Sequence, residues 1–240
     1  MKLNSTKVIG FLVASLAASA PIHAAISTLS FDAFATTSEG WQIGSAGVQP
    51  TRNSGPGQDG APGFLSHFSD GSGANGRWLM FSNQSEWLGN YNAAGITSIN
   101  LAADNATGSP LAVRIAFDGP GGWFYSAPQT ITNSTAGADW TVLSFGLAPA
   151  NFTYAAGSGG TANFASTMAN VARFEIFGGT GLVSFAAGGD LLRADTSSNS
   201  IRIDNISAIP EPSAFALALA GLSLAAAARR HSSPASKGTL

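Results

Sequence analysis

Few side chains in this sequence can act as nucleophiles, bases or metal ligands. The chain has no cysteine and three histidines, and only His67 lies away from the two hydrophobic ends. The sequence therefore excludes a cysteine nucleophile, a thiolate zinc site, an iron–sulfur cluster and a histidine-rich metal site. A Ser–His–Asp triad would have to use His67, and no Gly-x-Ser-x-Gly turn supplies its serine.

Paired carboxylates are the remaining catalytic option, because glycoside hydrolysis needs two acidic side chains that meet in space. The middle of the chain contains the glutamates Glu39, Glu86 and Glu175, and Glu86 directly precedes Trp87. An aromatic neighbour can raise a carboxyl pKa, so Glu86 is the candidate for a secreted polysaccharide hydrolase. A surface glutamate beside a core tryptophan explains the same dipeptide without catalysis. We favour this non-enzymatic interpretation.

Aromatic side chains offer a binding function instead. In the segment Gly121-Gly122-Trp123-Phe124-Tyr125, successive side chains of a strand would point to opposite faces, so at least one ring should leave the core. An exposed ring can stack on the apolar face of a sugar while nearby amides bond its hydroxyls. The candidate glycan contacts are Trp123, Tyr125, Trp87 and Asn90. The alternative is that these rings fill the core and its rim.

Charge is distributed unevenly along the chain. The net charge is −2, but residues 26–209 hold six Arg, no Lys and twelve Asp or Glu, a net charge of −6. An acidic middle argues against nucleic-acid binding, which needs a basic surface. The compensating basic residues lie at the two ends, as in chains that membranes handle at both termini.

The N-terminus predicts a signal peptide over residues 1–24. Lys2 and Lys7 form a positive region, residues 8–18 are apolar, and small residues lead to Ala24. Eleven apolar residues span about 16 Å as a helix, which is too short for a hydrocarbon core of about 30 Å. We therefore expect export through the Sec translocon followed by cleavage.

The C-terminal end has three parts in a fixed order. These are the tripeptide Pro210-Glu211-Pro212, the apolar segment 213–228 and the pair Arg229-Arg230. The prolines prevent a helix from extending back through them, and sixteen residues span about 24 Å as a helix. Such a segment is short for a permanent span but apolar enough for transient insertion in the inner membrane, with the arginines on the cytoplasmic side.

This arrangement resembles the PEP-CTERM sorting signal of Gram-negative bacteria. The resemblance covers residues 209–231 and implies recognition by an exosortase, a membrane-embedded transpeptidase-like protease, near the Pro-Glu-Pro tripeptide. It also implies association with exopolysaccharide production and biofilm matrices. The remaining tail, 232–240, is longer than the family usually carries and is expected to be disordered.

The middle of the chain, 25–208, predicts one all-β domain, an antiparallel β-sandwich of jelly-roll type between the signal helix and the C-terminal hydrophobic helix. Short apolar runs alternate with turn residues, and the clearest strand has the period-two sequence LAVRIAF. Strands are expected at 28–34, 64–68, 77–81, 96–101, 111–117, 122–125, 140–147, 171–177 and 201–206. Gly-rich loops are expected at 50–63 and 155–163.

The middle also resembles exported jelly-roll modules of the galactose-binding and laminin-B-like kind. Phe31-Asp32-Ala33-Phe34 and Gly40-Trp41 stand near its start, and Ile203-Asp204-Asn205-Ile206 closes it. The resemblance implies that the first and last strands are adjacent and that one structural calcium ion binds there. Asp32 and Asp204 are the expected calcium ligands, completed by further oxygens.

The sequence thus predicts an exported protein of the outer surface or extracellular matrix, sorted by an exosortase and binding exopolysaccharide. A secreted polysaccharide hydrolase and a purely structural surface protein without a ligand are the alternatives. With no cysteine available, the domain must be held by its core and sheet ladders.

Overall fold

The computed structural model describes residues 26–27, 30–44, 48–70, 79–105, 107, 110–132, 140–179, 181–185, 191–194 and 198–211. The predicted signal peptide, Pro212, the hydrophobic segment 213–228, Arg229, Arg230 and the tail lie outside these residues. Within them, no helix is both long enough and apolar enough to cross a membrane.

The first sheet is antiparallel and is built around the last strand of the domain. Its order is β10–β6–β15–β4–β3, and β1 also pairs with β15. The strands are β1 (Phe31–Asp32), β3 (Thr51–Pro56), β4 (Pro62–Asp70), β6 (Ile96–Asp104), β10 (Thr141–Gly146) and β15 (Ser198–Pro210). The predicted adjacency of the first and last strands is confirmed, because Asp32 lies opposite Ile206.

The second sheet is also antiparallel and has the order β11–β8–β7–β12–β5–β2, with β9 paired to β7. Its strands are β2 (Trp41–Gln42), β5 (Met80–Asn83), β7 (Leu111–Asp118), β8 (Phe124–Ser126), β9 (Gln129–Ile131), β11 (Phe152–Tyr154) and β12 (Arg173–Gly178). A separate hairpin consists of β13 (Ser184–Phe185) and β14 (Leu192–Arg193). One short helix, α1 (Phe164–Ala169), and a 3₁₀ turn, Pro149–Asn151, complete the elements among the described residues.

Each of the nine predicted strands overlaps an observed strand, and the predicted antiparallel β-sandwich is confirmed. The loop predicted at 50–63 is wrong in its first half, which forms β3 despite its Gly and Pro. β3 is the edge strand of the first sheet, where a proline costs no ladder hydrogen bond on its free side. The loop predicted at 155–163 contains no strand, as expected.

An aromatic core fills the space between the sheets. Phe174 stands at its centre, 5.0 Å from the stacked ring of Phe117 and 5.4 and 5.3 Å from Trp41 and Trp87, measured between ring centroids. All four side chains are fully buried. Since burying one large apolar side chain contributes roughly 1.5–3 kcal/mol, this cluster and its aliphatic surroundings can stabilise the fold without disulfides.

Candidate functional site

The face of the second sheet that points away from the core carries a continuous row of side chains. We call it the outer face. Cross-strand pairing aligns one residue from each of six strands in this row: Gln42, Ser82, Glu175, Ala116, Tyr125 and Thr153. Along this row the side chains become more exposed, from Glu175, which is fully buried, to Thr153, which is exposed at the edge.

One end of the outer face combines an aromatic ring with charged groups. Asp118 lies directly opposite Arg173 on the neighbouring strand, and the guanidinium carbon of Arg173 lies 5.9 Å from the ring centroid of Trp123. Burial raises the pKa of the Asp118 carboxyl, and the positive charge of Arg173 opposes that shift. Tyr125, two residues from Trp123 on the same face, is half-buried. This end therefore places a buried aromatic ring beside a carboxyl group and a guanidinium group.

The centre of the outer face is covered by the hairpin β13–β14. Leu191 and Leu192 pack on Phe177 and Met80 in a second apolar cluster. The backbone N–H of Leu192 donates to Oε2 of Glu175 at 3.1 Å, so a fully buried carboxylate joins sheet and hairpin. Tyr125 packs against the edge of this cluster and stays half-exposed, and Thr153 beyond it is exposed, so a ligand on this face would meet these two residues.

Arg114 supports the covered part of the same face. Its side chain is 8% exposed, and Nη1 donates to the carbonyl oxygen of Gly179 at 2.5 Å. Burial lowers the pKa of the guanidinium. The residue thus orders the end of β12 beneath the hairpin.

Two predicted glycan contacts are corrected by their burial. Trp87 is fully buried in the aromatic core, and Trp123 is 3% exposed in the second apolar cluster. Neither ring offers a free face, because the core and the Arg173 side chain cover them. Trp123 and Tyr125 do point away from the core between the sheets, as the alternation of the strand predicted.

Asn90 is exposed but belongs to a turn, not to the outer face. Its side-chain Oδ1 accepts the N–H of Ala93 at 2.8 Å and caps the turn that leads into β6 of the first sheet. The structure therefore separates the four predicted glycan contacts and leaves Tyr125 as the one half-exposed aromatic ring among them.

Glu86 lies on the exposed turn after β5. Its N–H donates to Oδ1 of Asn83 at 3.0 Å, an interaction that fixes the turn. Its charge contributes to the raised pKa values of Asp32 and Glu39, so the three carboxyls lie near one another. The hydrolase prediction for Glu86 remains a prediction.

The two predicted calcium ligands already have hydrogen-bond donors. Asp32 Oδ2 accepts both indole N–H groups of Trp41 and Trp87, each at 2.6 Å. Asp204 accepts the N–H of Gln58 at Oδ2 and its own neighbour's N–H at Oδ1, both at 2.8 Å. The described part of the chain contains no group of three His, Cys, Asp or Glu that could hold a metal ion. Calcium binding at Asp32 and Asp204 remains a prediction.

Arg173 and Thr153 were missed at the sequence level. Period-two alternation places Asp118 on the same face of β7 as Ala116, and Arg173 on the same face of β12 as Glu175. It does not pair the two strands. The register that brings Asp118 opposite Arg173 depends on long-range strand pairing. The sequence therefore predicted which face of its strand each residue occupies, but not that the two residues meet.

The start of the sorting tripeptide is part of the first sheet. Pro210 is the last residue of β15 and pairs with Ile96, and the N–H of Glu211 donates to the carbonyl oxygen of Gly95 at 2.9 Å. The hydroxyl of Thr97 donates to the carbonyl oxygen of Ile209 at 3.3 Å. The domain and the sorting tripeptide therefore meet without a linker.

Solved structures share the fold at low sequence identity. An exo-β-agarase matches with a TM-score of 0.50 and 11% identity, over 78% of this chain and 25% of that enzyme. The chain thus spans a quarter of the agarase. A family 11 carbohydrate-binding module from Clostridium thermocellum, solved with a β-1,3-1,4-mixed-linked tetrasaccharide, matches with a TM-score of 0.40 and 12% identity, over 67% of this chain and 81% of the module. A family 11 module from a cellulosomal cellulase of the same organism gives 0.38 and 11% over the same shares.

No curated protein matches the chain in sequence. Residues 208–231 match the model of the PEP-CTERM protein-sorting motif, which confirms the resemblance carried by Pro210, Glu211, Pro212, Arg229 and Arg230. This protein is therefore a β-sandwich protein with a PEP-CTERM sorting motif, and the motif implies an exported protein that an exosortase processes.

Proposed function

We propose that this protein is a component of the outer surface or extracellular matrix that binds exopolysaccharide without cleaving it. It passes through the Sec translocon, is held transiently in the inner membrane by its hydrophobic segment, and is released to the outside by the exosortase. The sugar site is the half-exposed end of the outer face, and the observation that carries it is the Tyr125 ring, with Thr153 opposite it on β11 and the Asp118–Arg173 pair further along the same face.

The chemistry of this end fits a carbohydrate ligand. The ring of Tyr125 supplies an apolar plane for the C–H groups of a sugar, while the Asp118 carboxylate accepts and the Arg173 guanidinium donates hydrogen bonds to hydroxyls. Arg173 is positioned by the Trp123 ring and by Asp118, which lies opposite it. A ligand would therefore meet groups that the sheet already orders, and this lowers the entropic cost of binding.

Binding to the exopolysaccharide of the producing bacterium tests this proposal. We expect Tyr125→Ala to weaken binding by about 3- to 10-fold, the equivalent of one stacking contact. Phe68→Ala is the matched control, because Phe68 is an aromatic residue 58% exposed on the first sheet. Isothermal titration calorimetry on the exported domain measures both affinities. Equal affinities for the wild type and Tyr125→Ala would show that the sugar does not bind at Tyr125.

The same preparation separates binding from hydrolysis. The proposal predicts retention of the protein on the polysaccharide with no release of reducing ends. Release that disappears in Glu86→Gln would instead establish the hydrolase. A surface protein without a ligand would show neither retention nor release.

A further inference from the structure

The fold presents Pro210 and Glu211, the first two residues of the sorting tripeptide, in a defined position at one end of the sandwich. Pro210 continues the ladder between β15 and β6, and Glu211 is hydrogen-bonded to Gly95. In the sequence only Pro212 separates Glu211 from the apolar segment that begins at residue 213. Since an extended residue spans about 3.5 Å, the domain ends within roughly 10 Å of that segment along the chain.

Two exposed segments surround this exit point. The turn 90–95 precedes β6, and the carbonyl oxygen of Gly95 accepts the N–H of Glu211. The segment 147–151 follows β10, and its Leu147 N–H donates to the carbonyl oxygen of Thr97 in β6 at 2.8 Å. We call these two segments the exit rim. Its exposed residues include Ala93 and Ala150.

The exit rim contains no charged residue. It lies within two long stretches without any Asp, Glu, Lys, Arg or His, 87–103 and 140–172, although residues 26–209 have a net charge of −6. A soluble surface of an acidic protein normally carries charges, and their depletion is typical of the buried part of a protein interface. The depletion occurs where the chain enters the sorting segment.

We propose that the exit rim is a docking surface for the membrane-embedded sorting protease, which recognises the Pro-Glu-Pro tripeptide together with the folded end of the sandwich. The inference rests on the sorting motif and is independent of sugar binding. The short connection brings any enzyme that acts at Pro210–Pro212 against the rim, and the uncharged rim allows that contact without desolvating a charge.

Charge substitutions in the full-length chain test this proposal in cells that contain the exosortase. A pulse-chase experiment follows the mass shift that accompanies loss of the segment after the tripeptide. We expect Ala93→Lys, Ala93→Asp and Ala150→Lys each to slow processing at least about 5-fold, because a charge buried in an interface without a partner is unfavourable. Ser198→Lys is the control, since Ser198 is exposed at the opposite end of β15, about 40 Å from Pro210.

Three measurements make the outcome decisive. Unchanged melting temperatures establish that the variants fold. Ten Gly/Ser residues inserted between Ile209 and Pro210 detach the tripeptide from the rim. In the chain with this insertion, Ala93→Lys should therefore be processed as fast as the same chain without that substitution. Processing of the rim variants at the wild-type rate, or slow processing that persists with the insertion, would overturn the proposal. Opposite effects of Ala93→Lys and Ala93→Asp would also overturn it, in favour of a contact with charged lipid headgroups.

Discussion

Asp32 places a carboxyl group in a core that is otherwise aromatic and aliphatic. It is 4% exposed, and one of its oxygens accepts both indole N–H groups of Trp41 and Trp87. Burial raises the pKa of Asp32 to about 7, the two indole hydrogen bonds lower it in part, and the charges of Glu39 and Glu86 raise it further. The carboxyl therefore holds two tryptophans in place, and in the folded protein it stays protonated at pH values well above the ordinary pKa of an aspartic acid.

This pKa predicts that folding stability falls as the pH rises from about 4 to 7. Over that range the unfolded chain releases the Asp32 proton while the folded chain keeps it, so the stabilising contribution is complete below pH 3.8 and is lost as the pH rises through about 7. The loss is at most about 4 kcal/mol, since one pKa unit corresponds to about 1.36 kcal/mol.

Urea unfolding of the wild type and Asp32→Asn at pH 5 and pH 8 measures this contribution. The amide keeps an oxygen that can accept from the indoles but does not titrate, so the variant should lose clearly less stability between the two pH values. Glu39, Asp118 and Asp204 also have raised pKa values and remain in both proteins, so the difference between the two slopes isolates Asp32. Identical slopes would contradict the assignment.

At the scale of elements, the first sheet must protect its free edge at β10. The Gln129 side chain pairs with Ser144 in both directions: Nε2 donates to the carbonyl oxygen, and Oε1 accepts the N–H at 3.3 Å. Asn151 Nδ2 donates to the carbonyl oxygen of Gly146 at 2.8 Å. These side chains line a cavity of about 230 Å³ and occupy backbone groups that would otherwise be open to another strand.

Gln129→Ala should therefore destabilise the domain and expose the edge. Loss of two hydrogen bonds predicts a decrease of about 1–2 kcal/mol in the free energy of unfolding. The uncovered edge predicts more self-association, which light scattering measures at increasing concentration. Thr130→Ala on the same strand is the control, because Thr130 is exposed. Equal stability and equal scattering for the two variants would show that Gln129 does not protect the edge.

At the scale of the whole molecule, local sequence patterns predicted the positions of the strands better than the burial of individual side chains. The alternation at 111–117 identified β7 because one face of that strand packs in the core, and turn residues bounded most of the others. β3 escaped prediction because its Gly and Pro are typical of a loop and only its edge position makes them tolerable. The burial of Trp123 agrees with the alternative that the rings fill the core and its rim, but the hairpin β13–β14 that contributes to this burial is placed by long-range contacts that the sequence pattern does not show.

The hydrogen bonds between Asp32 and the two tryptophans could not be predicted from local sequence patterns either. Trp41 and Trp87 are 9 and 55 residues from Asp32 in the sequence, and nothing in their spacing brings three side chains together. The sorting tripeptide is the opposite case. Its three parts are contiguous, so the sequence alone identified it, and the structure added that Pro210 belongs to the sheet and that Glu211 is hydrogen-bonded to Gly95.

The chain order has a consequence for folding after export. β15 is the last strand of the domain, yet it lies in the middle of the first sheet and pairs with β6, β4 and β1. On the proposed export route, the first sheet therefore cannot close until residues 198–210 have crossed the membrane, when the hydrophobic segment is next to enter the translocon. The domain should thus fold while its exit end is still held at the membrane.

Truncation tests this dependence on the last strand. A fragment of residues 26–211 should fold cooperatively, because it contains every strand of both sheets among the described residues. A fragment of residues 26–197 leaves β6 and β4 without their shared partner and buried apolar residues such as Ile203 without a strand to carry them, so it should remain unfolded or aggregate. Circular dichroism melts and limited proteolysis distinguish the two states. A cooperative melt of 26–197 would show that the sandwich folds before β15 arrives, and folding would then precede the arrest of the chain at the membrane.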